Sequence, residues 1–403
     1  MKKIALHWQI LIALIISVFI GALLPQSVKY ISWMGDVFLR ALKMIVVPLV
    51  LTSLITGVTN IGSGGNLGRL GLKTIVYYMT TSLIAITTGL VLVNVFKPGV
   101  GADSSLTANM QDFQLEEKPI SDTLIEIIPN NIFEAFTQGN MLAIIFFAIL
   151  FGFFITRLQS KHKQILTDFF SATFEVMMKI TLFIIKFAPL GILGIVSKVV
   201  AEQENIAELV ERLGIFMLIV IGGLLLHSFV FLPLICKIFG KIKPFRHFKN
   251  MATPLLTAFS TASSNATLPL TMEAVEHNSG VSNKIASFTL PLGATINMDG
   301  TALYELAVAG FIAQLTGHEL SFTHQFIMVA TALLASIGTA GVPMASYVAM
   351  VIIFSAIGLP LEYMLLVLPV DRPLDMLRTA TNVWSDSCGA AIIAKTEGEK
   401  LKV

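Results

Sequence analysis

Polar and charged side chains recur at helical spacing between Val370 and Lys395, within a chain that is otherwise largely apolar. On a helix that advances about 100° per residue, they fall within an arc of roughly 100°. This polar face consists of Asp371, Asp375, Arg378, Thr379, Asn382 and Asp386. A charge at bilayer depth costs at least about 2.5–3.5 kcal/mol unless it is paired or solvated. The spacing therefore predicts a binding site lined by carboxylates and a guanidinium, with a solvated surface face as the plainer alternative.

The overall composition is that of a polytopic membrane protein. The 403 residues are 55% hydrophobic and only 13% charged, and the mean hydropathy is +0.80, which excludes an ordinary soluble domain. Several apolar runs are long enough to cross about 30 Å of hydrocarbon. The runs are Trp8–Leu24, Ile45–Ile55, Ile75–Val95, Met141–Ile155, Ile180–Val200, Leu213–Leu234 and Ala286–Leu315. Lys2 and Lys3 precede the first run as in a signal peptide, but no small-residue cleavage site follows, so we expect a retained span.

Basic clusters mark one side of the membrane, and the positive-inside rule makes that side cytoplasmic. The clusters are Lys2 and Lys3; Arg69 and Lys73; Arg157, Lys161 and Lys163; Lys237, Lys241, Lys243, Arg246 and Lys249; and Lys400 and Lys402. The acidic segments Asp103–Glu126 and Glu202–Glu211 then lie outside. This pattern predicts a multi-pass protein of the cell (inner) membrane with both termini in the cytoplasm.

After Lys249 the apolar runs become short and interrupted. The first break, Ser260–Pro269, and the second, Ser336–Ser346, separate apolar pieces of about 8–12 residues, which are too short to span a bilayer. Such pieces predict re-entrant hairpins whose tips lie at membrane depth, where exposed backbone is tolerated only beside a protein cavity. Ordinary surface turns of the same composition are the alternative.

Each break is followed, at a similar distance, by a polar interruption of an apolar run. Asn297–Thr301, with the sequence NMDGT, follows the first break, and Asp371 and Asp375 follow the second. Paired interruptions in two halves indicate the inverted repeats of a secondary transporter. NMDGT predicts a helix break, because Gly300 and short polar side chains favour non-helical backbone. The freed carbonyls could bind a hard cation, with Asp299 supplying the charge.

Three polar side chains share one face of the third span, and two interpretations of them remain open. They are Tyr78, Thr81 and Ser82. They could form a hydrogen-bonded core face or ligate an ion. Near the N-terminal end, Arg40 and Lys43 begin an apolar run, where snorkelling interfacial anchors are favoured over substrate ligands.

Four segments together resemble the dicarboxylate/amino acid:cation symporter family. They are NMDGT, the run DMLRTATNVWSDS, the tip TASSNATLP and the segment FLRALKM. This family contains bacterial and archaeal glutamate and aspartate transporters and the animal excitatory amino acid transporters. The resemblance covers nearly the whole chain and implies an all-α polytopic fold with eight transmembrane helices and two re-entrant helical hairpins. It also implies inverted repeats, a homotrimer and an elevator-type movement across the lipid bilayer.

The resemblance implies a division of the chain into a scaffold and a transport domain. The scaffold comprises residues 1–70 (spans 1 and 2) and 121–203 (spans 4 and 5, with the trimer contacts). The transport domain comprises residues 71–97 (span 3) and 204–396 (span 6, first hairpin, span 7, second hairpin and span 8). Residues 98–120 form an extracellular loop, and residues 397–403 form a cytoplasmic tail.

The resemblance also assigns ligands, position by position. The implied substrate ligands are Ser264, Thr301, Val342, Asp375, Arg378, Thr379 and Asn382. The implied sodium ligands are Tyr78, Thr81, Ser82, Gly293, Thr295, Asn297, Asp299, Ser336, Ile337, Thr339, Asn382 and Asp386. The planar fork of Arg378 suits a carboxylate, and Asp375, one turn away, suits an ammonium. We therefore expect L-glutamate or L-aspartate as the substrate.

Co-transported sodium is expected, because proton-driven and dicarboxylate relatives tend to have Asn at the position of Asp386. A coupled proton is expected at Glu305, one turn beyond Thr301 on the same helical face. Sodium-only archaeal relatives have Gln there, whereas proton-coupled animal members have Glu. Desolvation favours the protonated form of a carboxyl, which suits a proton carrier. A carboxyl that only braces its helix is the alternative.

Several positions depart from the family pattern. Ala262 stands where archaeal members have an Arg, and Met376 stands where animal members have one. Arg372 lies one turn before Met376, where it can fill the same electrostatic space. In the second tip, Met344 and Ser346 stand where many members have Gln or Gly and then Gly.

Two other functions remain open, a C4-dicarboxylate:cation symporter and an anion-conducting channel. Dicarboxylate members differ at the position of Asp375, and paired charged ligands fit a carrier better than a channel. An enzyme is not expected, since no nucleophile is paired with a base at helical spacing. Cys236 and Cys388 lie in or near apolar segments and predict neither a disulfide framework nor a metal site. The net charge of +2 gives no indication of a nucleic acid partner.

Overall fold

The computed structural model describes residues 6–61, 68–101, 122, 125–202, 206–336 and 346–403. Every regular element in these ranges is helical, which confirms the predicted all-α class. The helices of the first half are α1 (Leu6–Leu23), α2 (Ser32–Ile61), α3 (Gly68–Phe96), α4 (Ile132–Gln138), α5 (Met141–Thr156), α6 (Ser160–Ile185), α7 (Ala188–Glu202) and α8 (Ile206–Leu226). Those of the second half are α9 (Pro244–Asn250), α10 (Ala252–Thr261), α11 (Ser264–Glu273), α12 (Asn283–Ile296), α13 (Asp299–Leu315), α14 (Phe322–Ser336), α15 (Ser346–Ile357) and α16 (Leu368–Thr396). Short 3-10 helices cover Pro25–Tyr30 and Leu361–Val367.

Helix α8 continues beyond Leu226 to Gly240 through two π-helical turns. These turns, His227–Phe231 and Cys236–Gly240, flank the α-helical residues Leu232–Ile235. A π turn widens the hydrogen-bonded ring from i→i+4 to i→i+5, and such single turns occur often at functional sites. His227 is buried at the start of the first turn. The wider turn redirects the side chains around it, so His227 faces other helices of the protein.

The helices pack as two sets. In the first set α1 packs on α7, and α2 packs on α5, α6 and α7. In the second set α3 packs on α8, α13 and α14, while α16 packs on α10, α12 and α13. Glycine permits a close approach of two backbones within the first set, because a Cβ built on Gly194 of α7 would lie 2.5 Å from the backbone nitrogen of Gly35 in α2. The polar face of α16 lies inside the second set.

Three helical stretches are long and apolar enough to cross a membrane: Ser32–Thr59, Arg69–Phe96 and Val210–Gly240. A fourth is Ser160–Ile185 together with Ala188–Lys198, if these two helices, bent by 53° at their junction, act as one span. By length and composition, the described ranges thus contain three or four spans. The expected number of eight remains a prediction.

The first predicted break of the second half lies between α10 and α11, which pack against each other. Helix α10 ends where Ala262 adopts the left-handed conformation, with φ +50°. Ser263 then caps α11, because its hydroxyl oxygen accepts a hydrogen bond from the backbone N–H of Ala266 at 3.2 Å. The second break lies between α14 and α15, and its residues 337–345 are outside the described ranges.

The break predicted at Asn297–Thr301 is present but shorter than expected. Helix α12 ends at Ile296 and α13 begins at Asp299, so only the residues between them are non-helical. The conformational role predicted for Gly300 is wrong, because Gly300 is helical. A Cβ on Gly300 would lie 2.7 Å from the carbonyl oxygen of Arg378 and 2.9 Å from its Cα. Glycine is needed here for the close contact between α13 and α16.

We expect Gly300→Ala to lower the free energy of unfolding by about 1–3 kcal/mol, the usual cost of overpacking. The added methyl would meet backbone atoms of Arg378, which cannot turn aside as the end of a side chain can. Thermal unfolding of the detergent-purified protein measures the effect. Gly214→Ala in α8 is the matched control, because a Cβ there has no heavy atom within 4 Å, and alanine should stabilise the helix by about 0.5–1 kcal/mol. Equal responses of the two variants would contradict the packing role.

Candidate functional site

Arg378 lies at the centre of the polar face of α16. Its guanidinium is fully buried, and Nη2 donates hydrogen bonds to Asp371 Oδ1 at 2.9 Å and to Asp375 Oδ1 at 3.0 Å. Its Cζ atom lies 3.9 Å from the centre of the Tyr304 ring of α13. The negative face of an aromatic ring attracts a cation, and a low local dielectric strengthens charged hydrogen bonds. These contacts hold the guanidinium in one place.

Three buried polar atoms of this group have no hydrogen-bond partner among the described residues. They are Arg378 Nε, Arg378 Nη1 and Asp375 Oδ2. A buried polar atom left unsatisfied costs about 1–3 kcal/mol, and more when it is charged. The unused donors of a guanidinium suit a carboxylate, and an unused carboxylate oxygen suits an ammonium. The pair can therefore bind a small molecule that carries both groups.

Asn382 connects α16 to the start of α13. Its Oδ1 accepts a hydrogen bond from the backbone N–H of Gly300 at 2.8 Å, and its Nδ2 donates to Thr301 Oγ1 at 3.1 Å. The first N–H groups of a helix have no partner within that helix, so Asn382 satisfies one of them. One turn earlier, the Thr379 hydroxyl donates to the carbonyl oxygen of Asp375 at 2.8 Å. The start of α13 is thereby fixed beside the polar face of α16.

Asp299 is a fully buried carboxylate at the first position of α13. Ser82 of α3 donates to its Oδ1 at 2.7 Å, and Ser385 of α16 donates to its Oδ2 at 2.6 Å. His227 Nε2, from the first π turn that extends α8, lies 3.0 Å from the same Oδ2. Side chains from three other helices therefore converge on this carboxylate.

A second buried carboxylate, Asp386, lies beside the break between α12 and α13. Asn297 Nδ2 donates to Asp386 Oδ1 at 2.8 Å, and Thr81 Oγ1 donates to Asn297 Oδ1 at 3.3 Å. The backbone of Gly293 also lies close to Asp386 and Tyr78. A Cβ built on Gly293 would lie 2.5 Å from Asp386 Oδ1 and 2.7 Å from the Tyr78 hydroxyl oxygen. Carboxylate, amide and hydroxyl oxygens are ligands that hard cations prefer. The cluster can therefore bind a hard cation.

The other predicted ligands within the described ranges lie at the ends of helices, and only some of them are buried. Ser264 is buried in the first turn of α11. Thr295 has an exposed side chain, and its hydroxyl donates to the carbonyl oxygen of Leu292 at 2.9 Å within its own helix. Ser336 is the last residue of α14. The remaining predicted ligands lie outside the described ranges, namely Ile337, Thr339 and Val342.

Glu305 lies on α13, one turn after Thr301, and it is buried, as its spacing predicts. Neither carboxyl oxygen has a hydrogen-bond partner in the described part of the chain. Buried carboxyl groups are normally hydrogen-bonded or paired with a charge. Glu305 is therefore available for binding a proton rather than occupied in holding another side chain.

A family model described as the sodium:dicarboxylate symporter family matches residues 6–396. The chain belongs to this family. It is 38% identical over 409 residues to the proton/sodium-glutamate symport protein of Geobacillus stearothermophilus, covering 99% of this chain and 96% of the relative. It is 34% identical to the proton/glutamate-aspartate symporter of Escherichia coli (strain K12), covering 98% of this chain and 93% of that relative. It is 38% identical to excitatory amino acid transporter 3 of Homo sapiens, covering 93% of this chain and 80% of that relative.

Membership of a symporter family confirms the resemblance on which the sequence interpretation depends, and with it a transporter rather than an enzyme. Sequence reasoning nevertheless missed three residues that this symporter places among the predicted ligands, namely His227, Ser385 and Tyr304. His227 could have been found, because an ionisable residue in an apolar membrane run marks a functional site by default. Ser385 and Tyr304 give no comparable signal.

Trp384 fixes the back of the symporter's last helix against α8. Its Nε1 donates to the carbonyl oxygen of Ser228 at 3.0 Å, within the first π turn, and Ser228 Oγ lies 3.1 Å from Thr381 Oγ1. The ring of His247 in α9 lies against the indole, with ring centres 5.3 Å apart. Burial lowers the pKa of His247 to about 4, so this imidazole is neutral near pH 7. The wide turn of α8 is thus stabilised by a side chain that α16 supplies.

Ion pairs join the two ends of α3 and α16 that lie on the predicted cytoplasmic side. Glu397 accepts hydrogen bonds from Arg69 and from Lys73, each at 2.6 Å. These hydrogen bonds, that from Arg69 first, hold the pKa of the Glu397 carboxyl at about 2. Exposed pairs of this kind contribute little to stability. Their effect is to align two helices that both carry predicted ligands.

Proposed function

We propose that this protein is a secondary active transporter that carries L-glutamate and L-aspartate into the cell together with sodium and protons. The observation that carries the proposal is the buried Arg378–Asp375 pair, whose unsatisfied atoms suit one carboxylate and one ammonium. An acidic amino acid supplies both groups. The names of two relatives, which together specify glutamate, aspartate, sodium and protons, support the same substrates.

We propose that the substrate lies between α16, the start of α13 and the tips of the two breaks. Its ligands would be Ser264, Thr301, Val342, Asp375, Arg378, Thr379 and Asn382. The hydrogen bonds between Asn382 and the start of α13 support this grouping. Arg378 would bind the distal carboxylate of the amino acid, and Asp375 would bind its ammonium.

Sodium ions would bind in the two oxygen-rich clusters around Asp299 and Asp386, and at a third group made of the backbone carbonyls of Thr295, Ser336, Ile337 and Thr339. Their ligands would be Tyr78, Thr81, Ser82, Gly293, Thr295, Asn297, Asp299, Ser336, Ile337, Thr339, Asn382 and Asp386. The Ser82 hydroxyl lies against the buried carboxylate of Asp299 and the Asn297 amide lies against that of Asp386, and the oxygens of these groups support the assignment. A bound cation would also neutralise each charge, which is costly to bury alone.

The proposed architecture is that of an inner-membrane homotrimer with eight spans, two re-entrant hairpins and cytoplasmic termini. Residues 1–70 and 121–203 would form a fixed scaffold, and residues 71–97 and 204–396 a transport domain that moves as an elevator. The packing of the helices in two sets supports this division. Cavities of about 660 and 700 Å³ lie between the sets, one beside Ile125–Leu142 and one beside Leu359–Tyr363. Since protein interiors are normally close-packed, such gaps favour relative movement at this boundary.

Uptake into proteoliposomes tests the proposed function. Radiolabelled L-glutamate, L-aspartate and succinate are offered while sodium, proton and potassium gradients are imposed independently. We expect both amino acids, but not succinate, to accumulate with an inward sodium gradient. A potential negative inside should accelerate uptake, because each charge that crosses 100 mV gains about 2.3 kcal/mol.

Three results would contradict the proposal. Full uptake in sodium-free buffer on a proton gradient alone would exclude sodium coupling. Succinate uptake equal to that of aspartate would favour the dicarboxylate alternative. A substrate-gated anion current without accumulation of the amino acid would favour a channel.

Glu305→Gln is expected to abolish the proton coupling of uptake. The glutamine keeps the shape of a buried side chain that has no hydrogen-bond partner among the described residues, but it cannot carry a proton. We expect acidification of the vesicle lumen during wild-type uptake, measured with an enclosed pH dye, and none with the variant. Binding of aspartate should be spared. If uptake by the variant keeps the wild-type pH dependence, Glu305 only braces α13.

A further inference from the structure

Arg372 approaches the carboxylate oxygen that the substrate ammonium would use. Its Nη1 lies 3.5 Å from Asp375 Oδ2, the atom that otherwise has no hydrogen-bond partner among the described residues. The other oxygen, Oδ1, already accepts a hydrogen bond from Arg378 at 3.0 Å. The two oxygens of Asp375 therefore face two different cations.

The two arginines are held very differently. The Arg378 side chain is fully buried, donates to two carboxylates and lies on the ring of Tyr304. The side chain of Arg372 is 36% exposed, whereas that of Asp375 is 11% exposed. The separation of 3.5 Å exceeds the usual 2.7–3.2 Å of a hydrogen bond, so the contact is an ion pair without a formed hydrogen bond. Arg372 can therefore leave Asp375 at much lower cost than Arg378.

The charges at the start of α16 balance only when both Arg372 and Arg378 are counted. Asp371 and Asp375 supply two negative charges, which Arg378 alone cannot neutralise, and Arg372 supplies the second positive charge. An amino acid ammonium on Asp375 Oδ2 would make Arg372 redundant at that oxygen. A buried carboxylate that has lost its partner is unfavourable in a low-dielectric interior.

We propose that Arg372 is a tethered counter-ion that alternates with the substrate ammonium on Asp375. This inference rests on the proposed function. When the amino acid binds, Arg372 moves away from Oδ2 toward solvent. When the amino acid leaves, Arg372 returns, so that Asp375 Oδ2 keeps a cation partner while the carrier moves back. Arg372 is thus a positioning residue for the return step and a competitor for substrate binding.

Two transport modes, net uptake and exchange, distinguish a counter-ion role of Arg372 in the return step from a role in substrate binding. Net uptake requires the carrier to return without substrate, whereas exchange of external for internal amino acid does not. We expect Arg372→Ala to reduce the maximal rate of net uptake by on the order of tenfold or more, because the two carboxylates of Asp371 and Asp375 then cross with one guanidinium, that of Arg378. Exchange should stay within about twofold of the wild type, and the KM for aspartate should fall, since a competing cation has been removed.

The experiment uses the full chain in proteoliposomes that are either empty or loaded with unlabelled aspartate. Arg372→Lys keeps a tethered charge and should restore net uptake. Arg246→Ala removes an exposed guanidinium from α9 and serves as the matched control. Retained exchange by Arg372→Ala also demonstrates that this variant is folded.

An equal loss of net uptake and exchange in Arg372→Ala would overturn the inference, and so would a KM that rises in both modes, as expected if Arg372 bound a substrate carboxylate. Failure of the proposed function is a separate outcome, since wild-type vesicles would then exchange neither glutamate nor aspartate. Failure of the inference alone leaves wild-type exchange and net uptake intact.

Discussion

Arg378→Cys is expected to abolish the uptake of glutamate and aspartate. The guanidinium is shared by Asp371 and Asp375, and truncation of one partner of a desolvated charge pair costs about 2–5 kcal/mol. At about 1.4 kcal/mol for each tenfold change, the affinity for both amino acids should fall by about 30- to 4,000-fold. Uptake of the radiolabelled amino acids into proteoliposomes, with and without the substitution, measures the loss.

Two further measurements decide whether that loss is specific. Small neutral amino acids such as serine should become substrates of Arg378→Cys, because the side chain that required a second carboxylate is gone. Asp375→Asn should instead weaken acidic amino acids when Arg378 is present and neutral ones when it is combined with Arg378→Cys, since it acts on the shared ammonium. High-affinity acidic uptake by Arg378→Cys, or unchanged aspartate uptake by Asp375→Asn, would refute the assignment of the two groups.

Asp386→Asn is expected to raise the sodium concentration for half-maximal uptake by about tenfold or more. The Asp386 carboxylate is buried beside Asn297, and close buried charge pairs are coupled by about 1.5–7 kcal/mol. Loss of the negative charge therefore removes much of the attraction for a cation. Sodium titrations of aspartate uptake at constant ionic strength measure the change.

Thermal unfolding gives an independent reading of the same prediction. A ligand at 100 times its dissociation constant stabilises the folded state by about 2.7 kcal/mol. Sodium, compared with choline, should therefore raise the unfolding temperature of the wild type, and less so that of Asp386→Asn. Asp36→Asn on the exposed surface of α2 is the control. If the Asp386 and Asp36 variants respond to sodium alike, Asp386 is not a sodium ligand.

Helical periodicity was sufficient to predict the buried polar face of α16. Asp371, Asp375 and Arg378 recur at spacings of three and four residues, which place them side by side whatever surrounds the helix. The same reasoning located the break before Asp299, because short polar residues interrupt an apolar run there. Composition, in turn, predicted a polytopic membrane protein, and the family resemblance implied its all-α class.

Contacts between distant helices could not be predicted in this way. The pairing of His227 with Asp299 depends on a π turn, which has no sequence signature of its own. Gly300 was assigned to a non-helical backbone, yet its role is to admit the backbone of Arg378, a residue far along the chain. The stacking of Tyr304 under Arg378 likewise arises from packing between α13 and α16. The spacing of residues within one helix does not indicate which other helix packs against that helix.

The burial of Trp384 provides the protein with a natural optical reporter. The chain has three tryptophans; Trp8 and Trp33 are 55% and 56% exposed, whereas Trp384 is 2% exposed. Replacing Trp8 and Trp33 by phenylalanine would leave a single indole, two residues from both Asn382 and Asp386 on α16. This indole lies on the opposite side of the helix, against Ser228, which is next to the His227 that contacts Asp299, so its fluorescence would respond to changes transmitted through this contact. Sodium and aspartate binding could then be titrated on the same unlabelled sample, in detergent and without a transport assay.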